Sequence, residues 1–205
     1  MKKCIVGIDE VGRGSLAGPV VVAAVVAPAN SKWLIANGPC ELRDSKRLTP
    51  KKREQWFKYI KGRPEVSFAL ARVYPRRIEK LNISKAANLA AFRAYDRLIA
   101  NGNAQRARNR VFLDGGLYLG NGSKRLLGRT VTNGDEKIKA VMIASIIAKV
   151  HRDRLMTRLG KIYPKYGFEI HKGYGTRAHL KSLKKHGLSK VHRLTFLRFT
   201  QNSKR

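Results

Sequence analysis

Short apolar runs punctuate an otherwise polar chain, and two of them stop at acids. The stretch Lys2 to Ile8 carries Cys4-Ile5-Val6-Gly7-Ile8 and predicts a strand ending at Asp9-Glu10. Val20 to Val26 is continuously apolar and β-branched, the pattern of a strand buried on both faces. The Gly-rich link Gly12-Arg13-Gly14-Ser15-Leu16-Ala17-Gly18-Pro19 is short, so these two strands should be antiparallel neighbours. After a loop over 30–50, Thr49 as N-cap and Pro50 as first helical residue predict a helix from Pro50 to Lys61. Val66 to Val73 reads as a third strand, and Pro75 starts a short helical turn. Ser84 is the expected cap of a helix from Lys85 to Ala100, where Ala87, Ala90, Ala91, Ala94 and Leu98 keep helical spacing. An Arg-rich segment over 106–110 leads into Val111-Phe112-Leu113, a strand with Asp114 at its tip, and Arg125 to Val131 supplies a fifth strand. Asp135 and Glu136 should open one helix running to about Leu159, since acids suit the positive helix end. Its middle, Ala140 to Val150, is apolar on nearly every side and belongs in the core. The tail from Lys161 is basic and rich in Gly and aromatics, with one more helix over Arg177 to His186.

Charge changes the picture more than length does. With 205 residues and 43% hydrophobic content the chain suits one core, but 44 Lys and Arg against 13 Asp and Glu leave a net charge of +31. A charge of that size repels itself unless it meets a polyanion, which makes nucleic acid the leading partner and anionic membrane the second. Cys4 and Cys40 make no disulfide framework, and Cys4 reads as a small buried hydrophobe. The five histidines show no ligand-like grouping and read as solvated residues, core residues or nucleic-acid contacts. Lys2 and Lys3 followed by apolar residues imitate a secretory signal, but Asp9, Glu10 and Arg13 interrupt it. The run Val20 to Ala27 is too short to span a membrane, so the expectation is a cytoplasmic protein without membrane contact.

The acids carry the candidate chemistry. Two adjacent carboxylates repel each other and lose hydration as a strand end enters a core, so Arg, Lys or a divalent cation should neutralise them. Asp9, Glu10, Asp114 and Asp135 are the candidate set. Clustered carboxylates without Cys or grouped His suit a hard cation bound through oxygen, magnesium or manganese. In a basic protein this suggests phosphodiester hydrolysis, in which two metals roughly 3.5–4 Å apart serve the attacking and leaving oxygens. Asp153, between Arg152 and Arg154, reads instead as a salt-bridged helix residue, and Asp44 beside Lys46 as turn chemistry. Gly12 to Ala17 imitates a dinucleotide fingerprint, but Gly18, Pro19 and a strand follow where a helix is required. The Gly12-Arg13-Gly14 turn can bring backbone close to a sugar and sense a 2′-hydroxyl, the group that separates RNA from DNA. Among the later aromatics, Tyr163, Tyr166 and Phe168 suit core packing, whereas Tyr174, flanked by glycines near Lys172, is the better nucleic-acid contact.

These residues give the chain a family likeness. Gly7-Ile8-Asp9-Glu10-Val11-Gly12-Arg13-Gly14, Asp44-Ser45-Lys46, Leu113-Asp114-Gly115, Ala144 to Val150 with Arg152-Asp153-Arg154, and His171-Lys172-Gly173-Tyr174-Gly175-Thr176 resemble the type 2 ribonucleases H, in their bacterial ribonuclease HII branch. The resemblance spans roughly residues 4–198. It implies an α/β fold with a mixed five-stranded sheet, flanking helices and a helical C-terminal part: a catalytic domain over 1–160 and a basic extension over 161–205 packed on it. It implies an endoribonuclease that hydrolyses the RNA of RNA–DNA hybrids and cuts 5′ of ribonucleotides embedded in duplex DNA. That enzyme is a monomer using Mn2+ or Mg2+ and leaving 5′-phosphate and 3′-hydroxyl ends. Asp9, Glu10, Asp114 and Asp135 would be catalytic, the first three as metal ligands; Gly12, Arg13, Gly14, Lys46 and Tyr174 would bind substrate. Glu136, beside Asp135, leaves the fourth acid open, and the high basicity goes beyond what the family requires. Two other readings stand beside this one: a noncatalytic basic RNA-binding protein, and a carboxylate nuclease or integrase indifferent to the 2′-hydroxyl.

Overall fold

A strand built on an acidic pair has to keep its backbone paired while its side chains stay accessible, and the sheet achieves this by ending one neighbour early. The computed structural model describes residues 3–201 apart from 44, 101, 103–109, 122–123 and 126–127. In it β1 (Cys4–Val11) pairs antiparallel with β2 (Val20–Pro28) along its whole length. β1 therefore runs through the acids rather than stopping before them, with Asp9 opposite Ala23 and Glu10 opposite Val22. On its other side β4 (Val111–Asp114) pairs in parallel only with Val6, Gly7 and Ile8. Past Ile8, β1 has a partner on one edge only. Main-chain pairing is indifferent to side-chain charge, so the strand continues while the missing neighbour leaves a cleft.

The other elements follow in order: α1 (Lys32–Ala36), α2 (Pro50–Lys61), β3 (Ser67–Val73), α3 (Pro75–Leu81), α4 (Ile83–Ala100), then after β4 the short strands β5 (Gly120–Asn121), β6 (Lys124–Arg125) and β7 (Arg129–Val131). Helices α5 (Gly134–Lys137), α6 (Lys139–Ile162), α7 (Phe168–His171), α8 (Arg177–His186) and α9 (Leu194–Gln201) complete the chain. The main sheet has the mixed, five-stranded order β3-β2-β1-β4-β7. One face carries α4, whose alanine stripe packs on Val6, Ile8, Val22 and Ala24. The opposite face carries α2, through Trp56 and Ile60, and the apolar middle of α6. At Gly7 the approach of α6 is so close that a Cβ would lie 2.2 Å from the Ala140 carbonyl carbon.

Local signals worked where a cap was unambiguous. Thr49 caps α2 by accepting from the Lys52 amide, and Thr176 caps α8 by accepting from the His179 amide. Three further element boundaries are corrected. α4 begins at Ile83, because Asn82, at φ 67°, turns the chain and accepts from the Lys85 amide; Ser84 instead receives Arg13. The long helix is two, since Ile138 adopts extended backbone between α5 and α6. The fifth strand is confined to Arg129–Val131, with Lys124–Arg125 in a separate pair with β5. Asp44 and residues 106–109 lie outside the described residues. Cys4 is half-buried rather than fully so, and both cysteines are free. Asp153 is salt-bridged as expected, to Lys149 and Arg53 rather than to its flanking arginines. No described helix is long and apolar enough to cross a membrane.

Candidate active site

The cleft left by the early end of β4 has acids for a floor. Asp9 and Glu10 come from β1, and Asp114 is the last residue of β4. One carboxylate oxygen from each lies within 4.8 Å of the other two. Asp9 is only 3% exposed; its Oδ1 accepts from the Glu10 amide at 2.8 Å, and the nearby hydroxyl of Ser145 of α6, which pairs with Ser45 Oγ at 2.8 Å, eases its charge. Burial first, then the charges of Glu10 and Asp114, push the Asp9 carboxyl well above its ordinary value. Burial also raises Glu10, against the opposing pull of Arg13, whose Nη1 lies 3.2 Å from Glu10 Oε1. The other Glu10 oxygen, Oε2, is buried with no hydrogen-bond partner. Asp114 Oδ1 accepts from the Gly134 amide at 2.8 Å, which ties the β4 tip to the start of α5. A divalent cation fits this donor set: three hard carboxylate oxygens gather within 4.8 Å, Glu10 brings an orphaned buried acceptor, and the burial that disfavours charge on Asp9 and Glu10 is what a cation would relieve.

The expected residues gather here with one distinction. Asp9, Glu10, Asp114, Gly12, Arg13, Gly14, Lys46 and Tyr174 line a single cleft of about 220 Å3. Asp135 is 5% exposed and adjacent, but its Oδ2 is engaged by Lys46 Nζ at 3.2 Å, and it is not among the three clustered acids. Its amide reaches Asp114 Oδ1 only at 3.4 Å. Glu136 is exposed.

The loop after the acids is held by two arginines, one of which, Arg152, sits in a family-like motif that gave it no role. Arg152 of α6 is fully buried; its guanidinium donates to the carbonyls of Pro19, Ala17 and Lys172 and to Ser15 Oγ. Arg193, also fully buried, donates to Gly12 O, Arg13 O and twice to Gly18 O. Among the described ion pairs neither arginine meets a carboxylate. Burial lowers both, Arg193 to about 9. The two glycines of the turn differ in consequence. Gly12 has φ +86°, and a Cβ there would sit 2.1 Å from Arg152 Nε, whereas a Cβ on Gly14 meets nothing within 4 Å. Gly12 is required by packing, while Gly14 presents bare backbone to open space.

Tyr174 reaches the cleft from a second fixed loop. The Leu16 amide donates to Gly173 O at 2.8 Å, and the Tyr174 ring lies 5.4 Å from the Arg152 guanidinium carbon. Behind it His171 and His179 stack at 4.3 Å, and His179 Nε2 lies 3.0 Å from His192 Nε2. The Ser189 amide donates to His192 Nδ1, so the proton between the two rings belongs to His192; His179 Nδ1 then donates to Tyr174 O. Three of the five histidines are thus core residues, as are Tyr166 and Phe168. The sequence reading assigned no role to Arg152, Arg193, Ser145 or Lys149. Ser145 and Lys149 lie four residues, about one helical turn, apart on one face of α6, and that spacing was the available signal.

Comparison with known proteins gives a concordant result. A family model described as Ribonuclease HII matches residues 6–199. A ribonuclease HII of Endomicrobium trichonymphae is 41% identical over 197 residues, covering 94% of this chain and 84% of that protein. Among solved structures, the ribonuclease H2 from Pyrococcus horikoshii superposes with a TM-score of 0.64 at 24% identity, covering 98% of each chain. Bst-RNase HIII in complex with Mn2+ gives 0.70 at 18% identity, covering 95% of this chain and 67% of that one.

Proposed function

The chain belongs to the ribonuclease HII family, metal-dependent endoribonucleases acting on RNA–DNA hybrids, and on that premise we propose that its cleft cuts the phosphodiester 5′ of a ribonucleotide, including one embedded in duplex DNA, leaving 5′-phosphate and 3′-hydroxyl ends. The observation that carries this reading is the meeting of three carboxylates, Asp9 buried and Glu10 and Asp114 half-buried, with a bare glycine backbone in one cleft. Asp9, Glu10 and Asp114 are the residues that would hold Mg2+ or Mn2+. When bound, such cations supply an activated water and stabilise the leaving oxygen of an in-line displacement. Asp135 stands beside them as the fourth acid and orients Lys46.

The remaining residues bind and select. Arg13 pairs with one oxygen of Glu10, leaving the other unpartnered, and lies at the rim, where a phosphate would approach. Lys46, with 77% of its side chain exposed, meets the backbone of the strand. Gly14 lets main-chain groups approach a 2′-hydroxyl that no side chain blocks, and Tyr174 stacks on the neighbouring sugar or base. All of these residues come from one chain, which supports a monomer as the working unit.

The test is a duplex carrying one embedded ribonucleotide, with an all-DNA duplex and a long hybrid as companions, each incubated with Mg2+ or Mn2+ and the ends mapped. Cutting 5′ of the ribonucleotide is expected. Asp9→Asn should lower turnover by at least the roughly 10²–10³-fold that one lost electrostatic partner costs, with binding retained. Equal cutting of the all-DNA duplex, or cutting without a divalent metal, defeats the reading.

A further inference from the structure

The net charge of +31 is far more than one cleft needs, and part of it is concentrated at a second place. A groove between the end of β3, α3 and α4 is lined by Arg72, Arg76, Arg77, Lys80 and Arg93 together with Tyr74. No carboxylate lines it, and none of the five cations enters an ion pair among the described residues. Arg76, Arg77, Lys80 and Arg93 are exposed, and Tyr74 is 53% exposed, an aromatic face set among cations. Glu79, the one acid of α3, is turned away and receives the amide and hydroxyl of Thr195 at the start of α9. Five like charges crowded without a counter-charge are self-repelling, which marks a surface shaped for an anionic partner rather than for the stability of the fold.

Sheet register says where this groove lies. Val11, next to the acidic pair, is opposite Val21, and Val21 is opposite Arg72. The groove therefore opens at the same end of the sheet as the carboxylates, two strands over, about 10 Å sideways at ordinary strand spacing. The surface between is also cationic. Arg13 at the cleft donates to Ser84 in the first turn of α4, and Lys85 beside it shares a second hollow with Arg77.

We propose that this groove is a second phosphate-binding track, which grips the duplex several nucleotides from the scissile bond on one side of the cut. The proposal rests on the nuclease reading for its substrate, because the same duplex must lie in both places. Phosphates along one strand recur every few ångströms, so a track beginning about 10 Å away engages backbone that the cleft itself does not touch.

The experiment separates binding from cutting. In the Asp9→Asn background, Arg76→Ala/Arg77→Ala/Lys80→Ala is compared with the parent by fluorescence anisotropy. The probes are a short duplex centred on one ribonucleotide and duplexes extended by a turn on either side, each across a salt series. The triple variant should bind the short duplex as the parent does. It should lose roughly tenfold or more in affinity for the duplex extended on one side, and its log–log salt slope there should fall by about 2–3, near 0.9 for each phosphate contact removed. In the otherwise wild-type chain, the same variant should keep kcat and raise KM on the extended duplex only. Equal loss on all three duplexes, or an unchanged salt slope, overturns the track. Because affinity is read in a variant that does not cut, failure of the nuclease reading shows separately, as absence of cleavage by the wild-type chain.

Discussion

The floor of the cleft and the clamp behind its loop both bury charge, in opposite ways. At the floor, three carboxylates face one another; Glu10 Oε2 has no hydrogen-bond partner, and burial drives Asp9 and Glu10 upward in pKa. In the clamp, Arg152 and Arg193 are buried without a direct ion pair among the described residues, yet each guanidinium makes four hydrogen bonds, nearly all to carbonyls. A guanidinium is weakly hydrated and spreads its charge over five donors, so main-chain dipoles can satisfy it. Carboxylates pressed together have no equivalent solution within the chain. The unsatisfied charge marks where a ligand belongs, and the satisfied charge marks what must not move.

The sharpest way to break this contrast is to empty the clamp. Arg193→Ala leaves the carbonyls of Gly12, Arg13 and Gly18 short of donors in a dry site and should lower stability by about 2–4 kcal/mol in urea unfolding. Arg193→Lys should recover less than half of that, because an ammonium cannot reproduce the fork. A change under about 0.5 kcal/mol would show that the arginine is a bystander.

Next in size is the difference between the loop glycines. Gly12→Ala meets Arg152 and a positive φ, and should cost about 1–3 kcal/mol of stability along with activity. Gly14→Ala should unfold like the wild type within about 0.5 kcal/mol, yet slow cleavage at an embedded ribonucleotide. Equal effects on stability from the two would erase the distinction between a packed glycine and a presented one.

The floor makes a prediction of opposite sign. A carboxylate whose pKa is raised by folding weakens the fold as pH climbs above its unfolded value, because the folded state resists giving up the proton. Asp9→Asn should therefore stabilise the metal-free protein by about 1–2 kcal/mol near neutral pH, and the gain should fade as pH falls through the raised value of Asp9 and be gone by about 4, the ordinary range of an unfolded Asp. Chelator-treated thermal melts at several pH values read this. Added Mg2+ or Mn2+ should then raise the melting temperature of the wild type and leave the variant unchanged. A variant less stable than the wild type without metal would mean the floor is already neutralised by Arg13. The smallest effect is expected at Lys46→Ala: its ion pair to Asp135 is largely exposed, so stability should shift by about 0–1 kcal/mol, while KM rises more at low salt than at high.

What the sequence made legible follows the same division. The carboxylates, the Gly-Arg-Gly turn and Tyr174 were readable because their chemistry resides in side-chain identity and local spacing. The helix over Pro50–Lys61 was readable because Thr49 and Pro50 both act locally. The end of β1 was misjudged because main-chain pairing with β2 carries no hydropathy signal, and the break at Ile138 because an apolar residue looks the same in a helix and between two. Arg152 and Arg193 were opaque for a deeper reason: their partners are carbonyls, which every residue has. Asp135 was found as an acid, but its engagement with Lys46 depends on two segments that meet only in the folded chain.

Helix α6 carries Ser145, which lines the cleft beside Asp9, and Arg152, which holds the loop, about two turns or roughly 10 Å further along. Its backbone lies directly on β1 at Gly7, with no side chain between to act as a cushion. The helix therefore works as a caliper: one jaw is set against the acids, the other against the turn proposed to sense the sugar. Its rise per residue sets the span between the acids and the turn, so that span is calibrated by backbone geometry and not by the loop itself. A single inserted residue between the jaws would swing Arg152 by about 100° and put the gauge out of true without altering any residue of the cleft.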